Sequence, residues 1–198
     1  MASSRSPVTR ALQTYDTAKA GIDYSITNPA LAILPAGLPF EFKNIKFYYT
    51  TAKAKYAKAF GPNIEGFLQP KDYVNNSERY ENNANFFALL LTQNGVTDVR
   101  LEDYAYGANA GLVFQIAEHT GLLKYFLWKR DIKLSLVSPT DVKRMATGSG
   151  KAKKEDMHAA FVAETGVDLI KLFGMKNPES PVNDVVDAYY MLKSLLSS

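Results

Sequence analysis

The chain has 198 residues, of which 46% are hydrophobic and 22% are charged, so it carries enough apolar side chain for one sizeable core and is not expected to be disordered. It has no cysteine and two histidines, which excludes disulfides, thiolate metal sites and His-rich zinc sites. A formal net charge of +3 permits a polyanionic partner without requiring one. Neither an apolar leader nor a run of about 18 apolar residues occurs, so we expect an intracellular protein without a membrane span.

Three predicted strands open the fold. Residues 1–16 are small, polar and basic, and we expect a flexible tail there. Turn signals at Asn28-Pro29 and Pro35-Ala36-Gly37 then separate three apolar segments. These segments are predicted as strands over 17–26, 30–36 and 40–51. Their short connections predict an antiparallel meander.

The region 52–83 differs in character from the segments around it. It carries Lys53, Lys55 and Lys58 and then turns to glycine, proline and asparagine, so we expect a basic and aromatic insertion or loop outside the core. Beyond it, helical and strand patterns alternate. Helices are predicted over 83–94, 108–130, 140–146, 154–166 and 180–196, and strands over 96–107 and 132–139. We therefore expect one α/β domain over 17–198, built on a mixed sheet.

Carboxylates occur at unusual places in these predicted elements. Asp23 lies inside the apolar run of the first strand, and because burying an unpaired carboxylate is costly, it needs a partner. Glu102 lies near the end of a later strand, and Asp184 and Asp187 are three residues apart on one face of the last helix. Taken alone, that spacing is more often a solvated helix face, and Asp184 in the first turn also suits the helix dipole. Taken together, two adjacent strands and the last helix would bring all four carboxylates to one place.

Crowded carboxylates favour a metal site. They repel one another unless divalent cations neutralise them. Ligands that are all oxygen favour Mg²⁺ or Mn²⁺, and two such ions about 3.5 to 4 Å apart can promote attack on a phosphodiester. The residues thus indicate phosphoryl transfer, most simply hydrolysis. Asp103 competes with its neighbour Glu102 for the ligand role, although alternation along a strand points the two to opposite faces.

Four segments, in their order and spacing, resemble the RuvC-type Holliday junction resolvases of the RNase H-like nuclease superfamily. Each segment is weak evidence alone, and the similarity extends from about Ala18 to Leu196. The segments are GIDYSITNPALAI (21–33), LEDYAYGANAGLVFQIAEHTGLL (101–123), VSPTDVKRMATGSGKAKKEDM (137–157) and NDVVDAYYMLKSL (183–195). The region 52–83 is longer and more basic than expected for the cellular bacterial enzymes, which suggests a phage or otherwise divergent member.

The resemblance implies an RNase H-like fold, with a mixed five-stranded sheet of three antiparallel and then two parallel strands flanked by helices. It implies that Asp23, Glu102, Asp184 and Asp187 are catalytic ligands of two Mg²⁺ or Mn²⁺ ions. It further implies a cytoplasmic homodimer, in a bacterium or a phage-infected cell, that resolves four-way DNA junctions by paired symmetric nicks. The alternatives are a related nuclease acting on RNA or other branched DNA, and a junction-binding protein that does not cleave.

The glycine-containing loop 147–154 is the first candidate for contact with DNA phosphates. Lys151, Lys153 and Lys154 lie in it, and we expect Lys151 or Lys153 beside the scissile phosphate, with Lys151 assigned a catalytic role. The alternative is a solvated lysine loop that caps the next helix. The loop lacks the G-x-x-x-x-G-K-[ST] spacing of a nucleotide-binding P-loop.

Other DNA contacts are predicted from aromatic and basic residues. Tyr104 and Tyr106 lead into a turn after Glu102, where an aromatic ring can stack on an unpaired base; Tyr106 is the better candidate, and packing in the core or a dimer is the alternative. For Lys53, Lys55 and Lys58, contact with DNA arms and an ordinary solvated face are equally favoured.

Three further features are predicted to have mainly structural roles. His119 is predicted near a helix end, since Gly121 marks a point where the long helix could break, and His158 is predicted to be structural. The apolar helix containing His119 is the candidate dimer interface by family likeness, although such a stripe is more often intramolecular core.

Overall fold

The computed structural model describes residues 13–103 and 110–197, with the backbone alone for 110–112. In chain order, the strands of this described part are β1 (Ala18–Asp23), β2 (Ala30–Leu34), β3 (Lys46–Thr51), β4 (Ala59–Phe60), β5 (Ile64–Leu68), β6 (Val96–Glu102) and β7 (Lys133–Val137). They form one sheet in the order β4-β5-β3-β2-β1-β6-β7.

Helices cover both faces of this sheet. They are α1 (Asn76–Gln93), α2 (Ala110–Trp128), α3 (Pro139–Thr147), α4 (Lys154–Thr165), α5 (Leu169–Phe173) and α6 (Val182–Leu196), with short 3-10 turns at Phe42–Asn44 and Ala54–Tyr56. Helices α1 and α2 pack on one face, and α6 with α3, α4 and α5 packs on the other. Within the described residues, no helix is both long and apolar enough to cross a membrane.

Local sequence explains where several helices begin and end. The side chain of Asn75 accepts a hydrogen bond from the Glu78 amide and so begins α1. Ser138 caps α3 in the same way through the Asp141 amide, and Pro139 occupies the first helical position. Gly148, at φ 80°, ends α3 in the left-handed conformation that glycine adopts readily, and the lysine-containing loop starts there.

The strand pairing matches the predicted mixed pattern. Strand β1 pairs antiparallel with β2, and β2 pairs antiparallel with β3. On the other side, β1 pairs parallel with β6, and β6 pairs parallel with β7. The carboxyl ends of β1, β3, β6 and β7 therefore meet at one edge of the sheet, which we call the carboxyl edge.

The sheet has seven strands rather than the predicted five, because the region 52–83 contributes β4 and β5. Strand β5 pairs parallel with β3, and Phe60 and Ile64 are buried in the main core. The ring of Phe60 stacks on Phe173 of α5 with centroids 4.1 Å apart. The prediction that this region lies outside the core is therefore wrong. Its strands have two and five residues, and β5 contains a glycine, so the local pattern carried little strand signal.

Helix α2 continues through Gly121, and the prediction of a helix end near His119 is wrong. The apolar stripe extends past the glycine, since Leu123 and Leu127 are both buried. His119 is fully buried in the middle of the helix, and its ring stacks on Tyr24 with centroids 4.1 Å apart. His158 is also buried, and its Nε2 accepts a hydrogen bond from the Ile170 amide at 3.4 Å, which agrees with a structural role.

The predicted flexible tail falls mostly outside the described residues, since the description begins at residue 13. Tyr15 already contacts the folded domain. Its hydroxyl donates to the carbonyl oxygen of Leu196, and its own carbonyl accepts from the Gly37 amide at 2.8 Å. From Tyr15 onward, the chain is therefore attached to the end of α6.

Candidate active site

Helix α6 crosses β1 in direct backbone contact at Gly21. A Cβ atom at Gly21 would lie 2.6 Å from the carbonyl oxygen of Ala188 and nearer still to the amide nitrogen of Leu192. Only glycine therefore permits this approach. Because side chains alternate along a strand, Asp23 projects to the same face as Gly21 and meets the start of α6.

The four predicted carboxylates converge at the carboxyl edge. Asp23 is the last residue of β1, and Glu102 is the last residue of β6, the parallel neighbour of β1. Asp184 lies in the first turn of α6, and Asp187 follows one turn later. The charges of Asp187, Asp184 and Glu102 all act on Asp23. Residues that are up to 164 positions apart in the chain thus share one site.

Burial raises the pKa values of all four groups, and repulsion from neighbouring carboxylates adds to the effect at Asp23 and Asp187. For Asp23, burial raises the pKa well above its usual range, and Asp187, Asp184 and Glu102 raise it further. Burial, with Glu102 and Asp184, raises the pKa of Asp187 to about 7. Burial also raises the pKa of Asp184 to about 6 and raises that of Glu102. In the folded protein, ionising the cluster is therefore costly without a cation.

Two lysines and a serine offset part of this repulsion. The charge of Lys154 lowers the pKa values of Asp23, Asp184 and Asp187 against the larger effect of burial. Lys143 acts in the same sense on Glu102 and Asp187. The Ser180 hydroxyl donates a hydrogen bond of 2.5 Å to Asp184 Oδ2. These three residues therefore stabilise the ionised form of the carboxylates.

Two cavities adjoin at the carboxylates. The first has a volume of about 500 Å³, and its polar lining comprises Glu102, Asp187, Asn183, Lys143, Lys153, Lys154 and Glu155. The second, of about 340 Å³, is lined by Asp23, Glu102, Asp103, Thr120 and the segment 24–27, among others. Glu102 is part of both walls. The carboxylates therefore lie along a cleft that is basic on the side of α3 and α4.

The predicted DNA-binding residues are distributed unevenly around this cleft. Lys153 and Lys154 line the larger cavity, and Lys151 is exposed at the tip of the preceding turn. Lys53, Lys55 and Lys58 are exposed beyond β3, and Lys55 Nζ lies 4.6 Å from the ring centroid of Tyr56. Tyr104 and Tyr106 lie outside the described residues.

Comparison with known proteins points to one group of enzymes. No family model matches the chain. A crossover junction endodeoxyribonuclease RuvC from Nitratiruptor is 29% identical over 100 residues, which are 50% of this chain and 58% of the relative. The Helicobacter pylori RuvC is 35% identical over 68 residues, or 34% of this chain and 43% of the relative. The chain thus spans about half the length of the curated relatives it matches.

Solved structures extend the similarity to nearly the whole chain. Thermus thermophilus RuvC aligns with a TM-score of 0.55 at 16% identity, over 91% of this chain and 96% of that one. The chain has the RuvC fold. The same enzyme in complex with a Holliday junction substrate aligns with a TM-score of 0.60 at 14% identity, again over 91% of this chain and 96% of that one. The yeast mitochondrial Holliday junction resolvase Ydc2 aligns with a TM-score of 0.53 at 14% identity, over 94% of this chain and 83% of that one.

The expected RNase H-like architecture and the resemblance to RuvC-type resolvases are thereby confirmed. The RuvC fold of this chain differs from the prediction mainly in strand number. The central pairing of β1 with β6, which holds Asp23 beside Glu102, follows the predicted order of elements.

The carboxylates of this RuvC fold suit a hard divalent cation by their chemistry. They are oxygen donors whose pKa values rise first because they are buried and, at Asp23 and Asp187, also because neighbouring carboxylates repel them. A bound cation would stabilise their ionised forms. Within residues 13–103 and 110–197, no three acidic or histidine side chains lie close enough together to hold an ion as they stand. Sharing an ion therefore requires the side chains to rotate toward one another.

Sequence reasoning missed Lys143, Asn183 and Ser180 at this site. Lys143 lies in the segment that carries the family resemblance, but on helix α3 rather than in the glycine-containing loop that follows it. The prediction of phosphate contacts considered only the lysines of that loop and so did not include Lys143. Asn183 and Ser180 flank Asp184, so the turn that begins α6 supplies more of the site than its two aspartates.

Proposed function

We propose that this chain is a metal-dependent structure-specific endodeoxyribonuclease that resolves four-way DNA junctions. The observation that carries the proposal is the convergence of Asp23, Glu102, Asp184 and Asp187 at the carboxyl edge of a RuvC fold. The curated RuvC relatives support the reaction class, and the solved complex of Thermus thermophilus RuvC with a Holliday junction supports the substrate class.

The acidic residues have distinct roles in this proposal. Asp23 is central because the other three carboxylates all act on it, which suits a ligand shared by two ions. Asp184 accepts a hydrogen bond from the Ser180 hydroxyl, and Asp187 and Glu102 both line the larger cavity. Two Mg²⁺ or Mn²⁺ ions, when bound, supply activation of water and stabilisation of the leaving oxygen.

Lysines at the cleft position the substrate. Lys143 and Lys154 lie near the carboxylates. Their positive charge can attract a DNA phosphate that the carboxylates would otherwise repel. Lys153, on the same wall, is placed to contact a neighbouring phosphate. Lys151, Lys53, Lys55 and Lys58 remain candidates for contacts farther along the DNA arms, and Tyr104 and Tyr106 remain candidates for stacking at the branch point.

A homodimer would allow the two symmetric nicks, and α2 offers the surface for it. Phe114, Tyr125 and Trp128 lie on one face of this helix and are 69%, 50% and 72% exposed. Their spacing of 11 and then 3 residues places them on one side of a helix. The opposite side, with Leu123 and Leu127, packs into the core. Such an enzyme would act on DNA in the cytoplasm of a bacterial or phage-infected cell.

Cleavage of defined substrates tests the proposal. Purified protein is mixed with labelled four-way junction, linear duplex, single-stranded DNA and RNA–DNA hybrid, in Mg²⁺, Mn²⁺ or EDTA. We expect paired nicks in the junction alone and none in EDTA. Preferential cleavage of RNA or of other branches would instead indicate a related nuclease, and tight junction binding without nicks would indicate a protein that binds only.

Two variants tie the activity to the carboxylates. Asp23→Asn and Asp187→Asn are expected to bind the junction and to lose cleavage by a factor on the order of 10² or more. Glu81→Gln, an exposed acidic residue on α1, is the control and is expected to cleave normally. Near-normal cleavage by either asparagine variant would contradict the proposed site.

A further inference from the structure

A third cavity, separate from the acidic cleft, lies where β3 and β5 end beside α1. Its volume is about 310 Å³, and its lining residues are Thr50, Phe67, Leu68, Gln69, Pro70, Tyr73, Asn82, Asn83 and Phe86. All nine are uncharged, and five of them end in an amide or a hydroxyl. We call it the amide pocket. Because β3 and β5 run parallel to β1, it opens at the same carboxyl edge as Asp23.

Two of its amides are buried and use, among the described residues, only part of their hydrogen-bonding capacity. Gln69 and Asn83 are only 6% and 4% exposed. Gln69 Nε2 donates to Thr50 Oγ1 at 2.8 Å, and Asn83 Nδ2 lies 3.4 Å from His119 Nε2. A side-chain amide has two N–H donors and an acceptor oxygen, so each of these bonds uses one donor only. A ligand that carries donors and acceptors on one edge would use the remaining capacity.

Aromatic rings form the other walls of the amide pocket. Phe67 and Phe86 meet edge to face, with centroids 5.0 Å apart. The hydroxyl of Tyr73 is buried and has no hydrogen-bond partner among the described residues. Leu68 at the rim is 51% exposed. The cavity therefore combines flat apolar walls with uncharged polar groups, which suits a planar heteroaromatic ring better than a phosphate or an aliphatic chain.

The strand register gives the distance from the acidic cleft. Asp23 pairs with Ala30, Ala30 pairs with Tyr49, and Tyr49 pairs with Gly66. At about 4.8 Å per strand, the β3 and β5 rows lie roughly 10 and 14 Å from Asp23. Thr50 and Phe67 follow Tyr49 and Gly66, so they project to the α1 face of the sheet.

A buried contact also connects the amide pocket to the cleft. Asn83 contacts His119, and the His119 ring stacks on the ring of Tyr24, with an angle of 7° between their planes. Tyr24 directly follows Asp23. A ligand that orders Asn83 would therefore act on residues packed next to the carboxylate cluster.

We propose that the amide pocket accepts one unpaired nucleobase of the DNA whose phosphate lies at the acidic cleft. The inference rests on the proposed function for its ligand class, because the acidic cleft at β1, two strands from β3 and three from β5, is assigned to DNA. A base would stack against the aromatic walls and present its hydrogen-bonding edge to Gln69, Asn82 and Asn83. Bases near the centre of a branched junction are the ones free to leave the stack.

Fluorescent base analogues locate such a base. Four-way junctions carry 2-aminopurine at each of five positions on either side of the branch point, and the wild-type protein is added in EDTA so that cleavage cannot occur. We expect one position to change its fluorescence at least twofold more than its neighbours. An equal response at all positions would overturn the proposal.

Matched variants assign the signal to the amide pocket. Tyr73→Phe removes only a hydroxyl without a described partner, and Asn82→Ala truncates an exposed lining residue, so both should fold. Each is expected to reduce the position-specific signal by about fivefold, the usual effect of one hydrogen bond. Asn85→Ala, exposed on the same helix outside the pocket lining, is the control and should retain the signal. Full signal in both Tyr73→Phe and Asn82→Ala would also overturn the proposal.

A nucleoside titration decides the matter if the protein does not bind junctions. In NMR spectra, millimolar deoxynucleosides should shift the side-chain amide signals of Gln69, Asn82 and Asn83 and leave that of Asn85 unchanged. If these signals shift but the protein cleaves none of the DNA substrates, the proposed base-binding pocket is supported and the proposed nuclease function is contradicted. In a protein that binds no junction, unshifted amides would overturn the pocket.

Discussion

The backbone of Leu192 in α6 lies directly over Gly21 in β1, with no room for a side chain between them. This contact sets the height of α6 above the sheet. Asp23 follows Gly21 by two residues, and Asp187 precedes Leu192 by five, so the same contact controls how close the carboxylates on β1 and α6 can come. The acidic site therefore depends on a residue that has no side chain.

Replacing Gly21 tests this dependence. Gly21→Ala forces a methyl group into the backbone of α6 and is expected to lower the free energy of unfolding by about 1–3 kcal/mol, the usual cost of overpacking. It should also reduce metal-dependent cleavage under conditions where the variant is still folded, because Asp184 and Asp187 move away from Asp23. Urea denaturation and the junction cleavage assay measure the two effects.

Gly121→Ala provides the stability control. A Cβ at Gly121 meets no atom within 4 Å, and alanine favours a helix over glycine by about 1 kcal/mol. This variant should be as stable as the wild type or slightly more stable. If Gly21→Ala matched it in stability and kept full activity, the close approach of α6 would not be needed for the site.

The stability of the metal-free protein is expected to fall as the pH rises from about 4 to about 7 and to level off above that. The pKa of Asp187 is raised from 3.8 to about 7, so the folded protein holds this proton more tightly than the unfolded chain does. The stabilisation from protonation is complete below the unfolded value and is lost as the pH rises through about 7. Urea denaturation in EDTA at several pH values measures it.

Two comparisons isolate the carboxylate contribution. Adding Mg²⁺ should reverse the decline at pH 8, because a cation would stabilise the ionised cluster, and Asp187→Asn should flatten it. His119 acts in the opposite sense, because burial lowers its pKa from 6.5 to about 4 and its contribution to stability rises between these pH values. Asp187→Asn retains His119, so the difference between wild type and variant isolates Asp187. A pH dependence that is equal in wild type and Asp187→Asn would count against the crowding of these groups.

Lys154 is expected to matter more for cleavage than Lys151. The charge of Lys154 reaches three of the carboxylates, whereas Lys151 is exposed at the loop tip. Lys154→Gln should lower the single-turnover cleavage rate by about 100-fold, similar to the loss of one preorganised electrostatic group. Lys151→Gln should mainly weaken binding and reduce its salt dependence. The opposite ranking of the two rates would restore Lys151 as the residue beside the scissile phosphate.

The proposed dimer should break when charge is placed on the exposed face of α2. Trp128→Glu buries an unpaired carboxylate in that interface and is expected to convert the dimer to a monomer, as measured by light scattering coupled to size-exclusion chromatography. Leu172→Glu, at a position 40% exposed on α5, is the matched control and should leave the mass unchanged. An equal mass for wild type and Trp128→Glu would place the dimer elsewhere or exclude it.

Sequence patterns predicted most of the strands and helices because these elements are specified by neighbouring residues. The apolar run around Asp23 predicted β1, and the helical pattern over 140–146 predicted α3, whose observed ends at Pro139 and Thr147 lie within one residue. Local pattern failed where the element was short or stabilised from a distance. Strand β4 has two residues, and β5 contains a glycine, so both are specified by pairing with β3 and by the packing of Phe60 on Phe173.

By itself, the sequence determined the kind of donor available, since a chain without cysteine can offer mainly carboxylate oxygens, and it determined which segments carry them. Only the tertiary structure decided that Glu102 lies beside Asp23, that α6 approaches β1 closely enough to add Asp184 and Asp187, and that Lys143 and Lys154 face them. The physical reason is that residue type and period act over a few positions, whereas a buried charge is stabilised or destabilised by whatever long-range packing places around it.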